Sequence, residues 1–143
     1  MTTTLPLDNS GMGVLSHAEC WDRLRAARVG RLAFVNQDDP MILPVNHAVD
    51  GTTIVFRTAR GSKLLAADAG LRVAFEVDGF DADRRSGWSV LVRGTALTVQ
   101  DAETATRLNR LGVWPWADLV DRPHWVRISV HSVTGRQTVH PAR

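Results

Sequence analysis

The dipeptide Asp50-Gly51 constrains the fold of this chain more than any other feature. Two runs with strand character meet at it, Met41 to Val49 on one side and Thr52 to Thr58 on the other. Asp-Gly between such runs signals a type I′ hairpin. Gly takes a positive φ without steric cost, and the twist of that turn matches the twist of the strands it joins. The chain therefore doubles back here, and antiparallel pairing is the expectation. Pro44 lacks a backbone donor, which places its run at a sheet edge or a bulge.

The flanking sequence extends this pattern. Ser16 is placed to cap a helix, Glu19 to close a capping box, and Leu15 to staple onto Cys20. That helix is expected to run to about Arg28, with Cys20, Leu24 and Ala27 facing inward. Val29 to Asn36 reads as a strand, and Gln37-Asp38-Asp39-Pro40 as a turn. After the hairpin comes a short helix from Ser62 to Ala69, with Gly70 as its C′ residue. Leu71 to Asp78 alternates as a half-buried strand does. Gly79 to Ser86 reads as a charged loop, and Gly87 to Gln100 as a long strand bent at Gly94. Asp101 opens a third helix with Ala105, Leu108 and Leu111 on one side. Gly112 to Pro123 is irregular. His124 to Val133 is a last strand, with Gly135 to Val139 available to extend it.

Six or so mostly antiparallel strands and a few helices indicate a mainly β fold, a small closed or nearly closed barrel. An open antiparallel sheet packed by helices is the other arrangement this order allows. With 143 residues, one domain over residues 14–143 is expected, preceded by a polar tail over residues 1–13. The charge is nearly balanced, 17 basic against 15 acidic residues. No basic run occurs, so nucleic acid is not an expected partner. No stretch is long and apolar enough to span a membrane. One cysteine, Cys20, allows no internal disulfide and suits a reducing, cytoplasmic setting.

The segment Ile54-Val55-Phe56-Arg57-Thr58-Ala59-Arg60-Gly61-Ser62-Lys63 carries the clearest chemistry. A strand hands over to a helix start beside the chain's only lysine, Lys63. Free N–H groups, the Ser62 hydroxyl, the Lys63 charge and the Arg57 fork could converge on a phosphate. The competing reading makes Ser62 a simple helix cap and Lys63 a solvated cation. Across the hairpin, Asn46 and the Val45 backbone could bond a flat polar ligand; otherwise Asn46 and His47 are strand residues on a wet face. Trp88 and Ser89 place a ring and a hydroxyl at a strand start, where Trp88 either edges a planar ligand or fills core.

His17, His47, His124, His131 and His140 show no paired spacing, and no metal site is expected. His124 and His131, seven apart on one strand, should face opposite sides. Nothing resembles a nucleophile elbow, and no catalytic residue is assigned.

The order of Gly30-Arg31-Leu32-Ala33, Pro44-Val45-Asn46, Ile54 to Thr58, Gly61-Ser62-Lys63-Leu64, Val73 to Asp78, Gly87-Trp88-Ser89-Val90 and Gly94 resembles the pyridoxamine-5′-phosphate-oxidase-like flavin proteins. It is most similar to their short actinobacterial branch. The resemblance covers about Leu15 to Gly135. It implies an FMN-binding split β-barrel and a homodimer with the flavin between subunits. By position, Arg57, Ser62 and Lys63 would hold the phosphate. Val45, Asn46, Phe56 and Thr58 would flank the ring and ribityl chain, and Trp88 and Ser89 would come from the partner. The C-terminal segment Thr134 to Arg143 lacks the Arg- and His-bearing pattern that grips the vitamin phosphate, so that reaction is not assigned. Related branches bind a deazaflavin, the alternative cofactor here, or haem. Haem is disfavoured because no axial ligand stands out apart from His47.

Two functions follow from the resemblance. One is a flavin-dependent oxidoreductase acting on a small molecule, in which the cofactor carries the redox chemistry and the protein orients and tunes it. The other is a flavin or deazaflavin carrier or sensor without efficient turnover.

Overall fold

A computed structural model describes residues 4–59, 61–114 and 124–140. Arg60, and with it Pro115 and Trp116 of the irregular segment, lie outside these residues. The elements are β1 (Gly13–Val14), α1 (His17–Ala26), β2 (Val29–Asn36), β3 (Asp39–Asn46), β4 (Ala48–Asp50), β5 (Thr53–Thr58), α2 (Ser62–Asp68), β6 (Arg72–Asp81), β7 (Ser86–Thr98), α3 (Ala102–Asn109) and β8 (His124–Gln137). The strands form one antiparallel sheet in the order β3-β2-β6-β7-β8-β5-β4, with β1 added to β8. The curled sheet and its helices form a split barrel.

The eight strands exceed the expected six for two local reasons. The run from Met41 to Val49 breaks at His47, and Gly13–Val14 forms a short strand on β8. Residues 4–13, expected as a polar tail, pack on that same strand. Leu5 rests against the core, and Asp8 pairs with Arg136 at 3.0 Å. Pro44 lies on β3, an edge strand, where its missing donor costs no ladder bond. Half of the segment from Gly79 to Ser86 is strand: β6 and β7 stay paired to Asp81↔Ser86, leaving four residues for the turn.

The type I′ conformation expected at Asp50-Gly51 occurs instead at the β2–β3 turn. The β4–β5 turn is Gly51-Thr52, and only Gly51 has a positive φ, +61°. This is the pattern of a type II′ turn, not type I′. The β2–β3 turn, Gln37-Asp38, has φ of +49° and +68°, the double positive φ of type I′ without a glycine.

The helices follow their sequence signals closely. Ser16 Oγ accepts from Glu19 N at 3.1 Å, and Glu19 Oε1 accepts from Ser16 N at 3.2 Å, the reciprocal capping box. α2 ends in a Schellman motif: Leu71 N donates to Ala66 O and Gly70 N to Ala67 O. Asp101 caps α3 by accepting from Thr104 N at 3.1 Å.

The main core gathers Trp21 and Leu24 from α1, Leu64 from α2, and inward residues of the sheet such as Phe56, Phe75, Val92 and Ile128. Leu15 and Cys20 close against Gly135 of β8. A smaller core lies on the other face of the sheet. There Leu108 of α3 covers Val55 and Trp125. Ile54, Val55 and Phe56 are consequently all fully buried. Asp50 ties this region together, accepting from Arg107 at 2.7 and 3.0 Å and from Arg127 at 2.8 Å. Those guanidiniums hold its carboxyl down to about 2.

The longest ladder is β7 on β8, and it carries a bulge between Arg93 and Gly94. A Cβ on Gly94 would stand 2.2 Å from Ser129 O, a backbone atom that cannot turn aside. Gly94→Ala is expected to destabilise the protein by about 1–3 kcal/mol, the usual range for overpacking. Denaturant melts of the two proteins check this; equal midpoints would show that the ladder yields at Gly94.

Candidate functional site

Three of the expected residues lie at the ends of the elements that flank the β5–α2 corner. β5 is buried at Ile54 to Phe56, so its last residues emerge from the core at Arg57 and Thr58. Arg57 lies opposite Trp125 on β8, with its guanidinium 5.5 Å from that ring's centroid. Three residues on, α2 begins. Its N-cap is Gly61, with no side-chain cap bond, so Ser62 is the first helical residue and not the cap. The Ser62 hydroxyl is therefore not consumed in capping. Ser62, Lys63 and Arg57 are all half-buried. Two cations and a hydroxyl at the start of a helix suit a phosphate by charge and by donor type.

The other expected contacts divide by depth. Val45 and Phe56 are core residues, with side chains 4% and 0% exposed. Phe56 offers a ligand no surface in the single chain, and Val45 almost none. Thr58 is buried, and its Oγ1 donates to Ala59 O at 3.0 Å. Asn46, half-buried at the end of β3, donates from Nδ2 to Trp114 O.

Trp88 and Ser89 lie far from this corner. They start β7, opposite Gln137 and Arg136 at the end of β8. Arg23 lies 4.6 Å above the Trp88 ring and donates to Gln137 Oε1 at 2.7 Å. On β8, Trp125 marks the Arg57 end and Gln137 the Trp88 end. Those twelve positions amount to about 40 Å of strand. One chain does not bring Trp88 to Arg57.

His47, read from sequence as a wet-face residue or an axial ligand, is an inward group at the β3–β4 break. It is 6% exposed and packs edge-on to Phe75, ring centroids 4.9 Å apart. Its backbone N donates to Arg28 O at 3.0 Å, and its Nε2 lies 2.9 Å from Leu24 O. A carbonyl only accepts, so Nε2 carries the hydrogen and Nδ1 is the unprotonated nitrogen. Nδ1 has no hydrogen-bond partner. Burial pushes the ring's pKa below 6.5, outweighing the carbonyl contacts. Parity with Val45 was the sequence signal: if Val45 faces inward, so does His47.

A cleft of about 650 Å³ adjoins Asn46 and His47, walled by the end of α1 and by Leu111 to Trp114. It brings in Arg25 and Arg28, which no sequence pattern singles out. A second, of about 510 Å³, surrounds Trp88 and Phe80 at the β6–β7 hairpin. Among the described residues, no cluster of three or more His, Cys, Asp or Glu could hold a metal ion, and no helix is long and apolar enough to cross a membrane.

Comparison with known proteins follows this geometry. Residues 16–137 match the family model described as pyridoxamine 5′-phosphate oxidase. An uncharacterised protein of Mycobacterium tuberculosis is 37% identical over 134 residues, 90% of this chain and 87% of its own. A solved FAD-binding protein of Mycobacterium smegmatis is 38% identical, with a TM-score of 0.72 over 87% of this chain and 97% of that one. A solved FAD-binding protein of Mesorhizobium loti is 27% identical, with a TM-score of 0.73 over 90% and 99%.

Neutral, buried His47 makes stability depend on pH. The unfolded chain takes up the proton near 6.5 and the folded chain only below that. Stability is therefore full above 6.5 and falls as the pH drops from there toward the lowered folded-state value. Denaturant melts between about pH 7 and pH 5 should show this decline, and His47→Gln should flatten it. Parallel slopes in the two proteins would assign the decline to other groups.

Proposed function

The chain belongs to the pyridoxamine 5′-phosphate oxidase family, and we propose that within it this protein is a flavin-dependent oxidoreductase acting on a small molecule. The observation that carries the reading is the β5–α2 corner. Arg57 ends β5, Ser62 and Lys63 open α2 a few residues on, and the Ser62 hydroxyl is not used in capping. Relatives described as FAD-binding, at 38% and 27% identity, favour a flavin nucleotide and add FAD to the expected FMN. A deazaflavin presents the same phosphate end to this corner.

In this reading Arg57 and Lys63 neutralise the phosphate, and the Ser62 hydroxyl donates to one of its oxygens. The Asn46 side chain borders the ring, with Val45 and Phe56 in the core behind it. The bound flavin supplies hydride or electron-pair transfer; the protein supplies orientation and excludes water. The site needs a second copy of the chain. Trp88 and Ser89 stand at the opposite end of β8 from Arg57, so only the partner's Trp88 and the partner's Ser89 can close the groove. A homodimer with the cofactor at the interface satisfies that separation.

Lys63→Ala tests the assignment. Loss of a charge-assisted contact of about 1.5–3 kcal/mol should weaken FMN binding by one to two decades. Riboflavin, which has no phosphate, should bind the variant and the parent alike. Fluorescence titrations with FMN, FAD, deazaflavin and riboflavin read the comparison, with light scattering for the dimer. If FMN affinity is unchanged in the variant, the phosphate is held elsewhere. A cofactor-bound monomer would remove the shared site.

A further inference from the structure

We propose that the cleft at the C-terminal end of α1 is a separate binding site for a small planar aromatic carboxylate, gripped by Arg28. The cleft, about 650 Å³, is of a size that holds a small organic ligand. Among the described residues its walls carry two arginines, Arg25 and Arg28, and no Asp or Glu. Arg25 is drawn toward Asp22, 3.4 Å away on α1. Arg28 makes no side-chain hydrogen bond or ion pair with any described residue, so its bidentate fork is available.

Arginines near a helix C-terminus ordinarily answer the helix's own carbonyls. Here Ala27 N donates to Arg23 O, His47 Nε2–H to Leu24 O, and His47 N–H to Arg28 O, all within 3.0 Å. The Arg28 side chain bonds none of the described carbonyls, and its guanidinium is left to a ligand. The cleft's positive charge then selects an anion, and the fork selects a carboxylate.

The aromatic preference comes from Trp114. Its ring is 71% exposed, yet its carbonyl is pinned by Asn46 Nδ2. A large ring held by its backbone at the mouth of a cleft offers a stacking face. Ala26, Ala48 and Val113 supply apolar wall on which the body of the ligand can rest. Because Asn46 also borders the proposed flavin ring, the site lies on the substrate side of that ring. That last placement rests on the flavin reading; the carboxylate site does not.

The test uses the protein as purified, titrated with 2-naphthoate and with its neutral counterpart 2-naphthamide and followed by amide chemical shifts. Naphthoate should bind at least about tenfold tighter than the amide and shift Asn46, Ala48 and Val113. Arg28→Ala should weaken naphthoate by about ten- to a hundredfold, and Arg28→Lys should recover part of the loss. Arg28 is exposed, so both variants keep the core. Equal affinity for acid and amide, unchanged affinity in Arg28→Ala, shifts confined to other surfaces, or no binding by about 10 mM would each overturn the site. FMN affinity must stay within about twofold in Arg28→Ala, which separates failure here from failure of the flavin assignment.

Discussion

The antiparallel ladder of β7 on β8 is the constraint on which the rest of the molecule depends. Eleven residue pairs, Trp88↔Gln137 through Thr98↔Val126, run along it. Every other strand except β3 pairs directly with one of these two or is one step removed. β6 leans on β7, β5 and β1 on β8, and β2 on β6. The helices are fixed by the same pair: α1 closes on Gly135, α2 packs against β7, and α3 covers Trp125. The bulge at Gly94 lets two strands of this length bend around a core without tearing their hydrogen bonds.

That bulge also explains what the sequence could and could not convey. The capped helices, the alternating run of β6, the edge position of Pro44 and the bend at Gly94 each express a local rule with a local residue. Their structures follow. β8 escapes such rules. Its inward residues are Val126, Ile128 and Val130 before the bulge and Val133 after it, so parity changes there. The change comes only past His131, so His124 and His131 stay on opposite sides, with His131 Nε2 2.9 Å from Thr95 Oγ1. β5 hides its period because α3 buries the face that would otherwise alternate to polar. The turn types were misread for a related reason. Asp-Gly permits two hairpin turns, and the register at Asp50↔Thr53 selects one.

The candidate phosphate corner could be read from sequence because its residues lie in one short stretch: a strand end, a glycine and a Ser-Lys pair. The cleft could not, because it joins Arg28, Asn46 and Trp114 from three distant stretches. A buried histidine with one engaged nitrogen looks the same in sequence as a solvated one. Only the carbonyls of Leu24 and Arg28 distinguish them.

The docking of α1 has a practical consequence. Cys20 is the chain's one thiol, 1% exposed beneath Gly135, and burial pushes its pKa up. A neutral, shielded thiol does not react; a thiolate in solvent does. Alkylation of the native protein must therefore wait for α1 to lift from β8. The rate at which a maleimide finds Cys20 is a clock, already present in the natural sequence, for how often that helix opens.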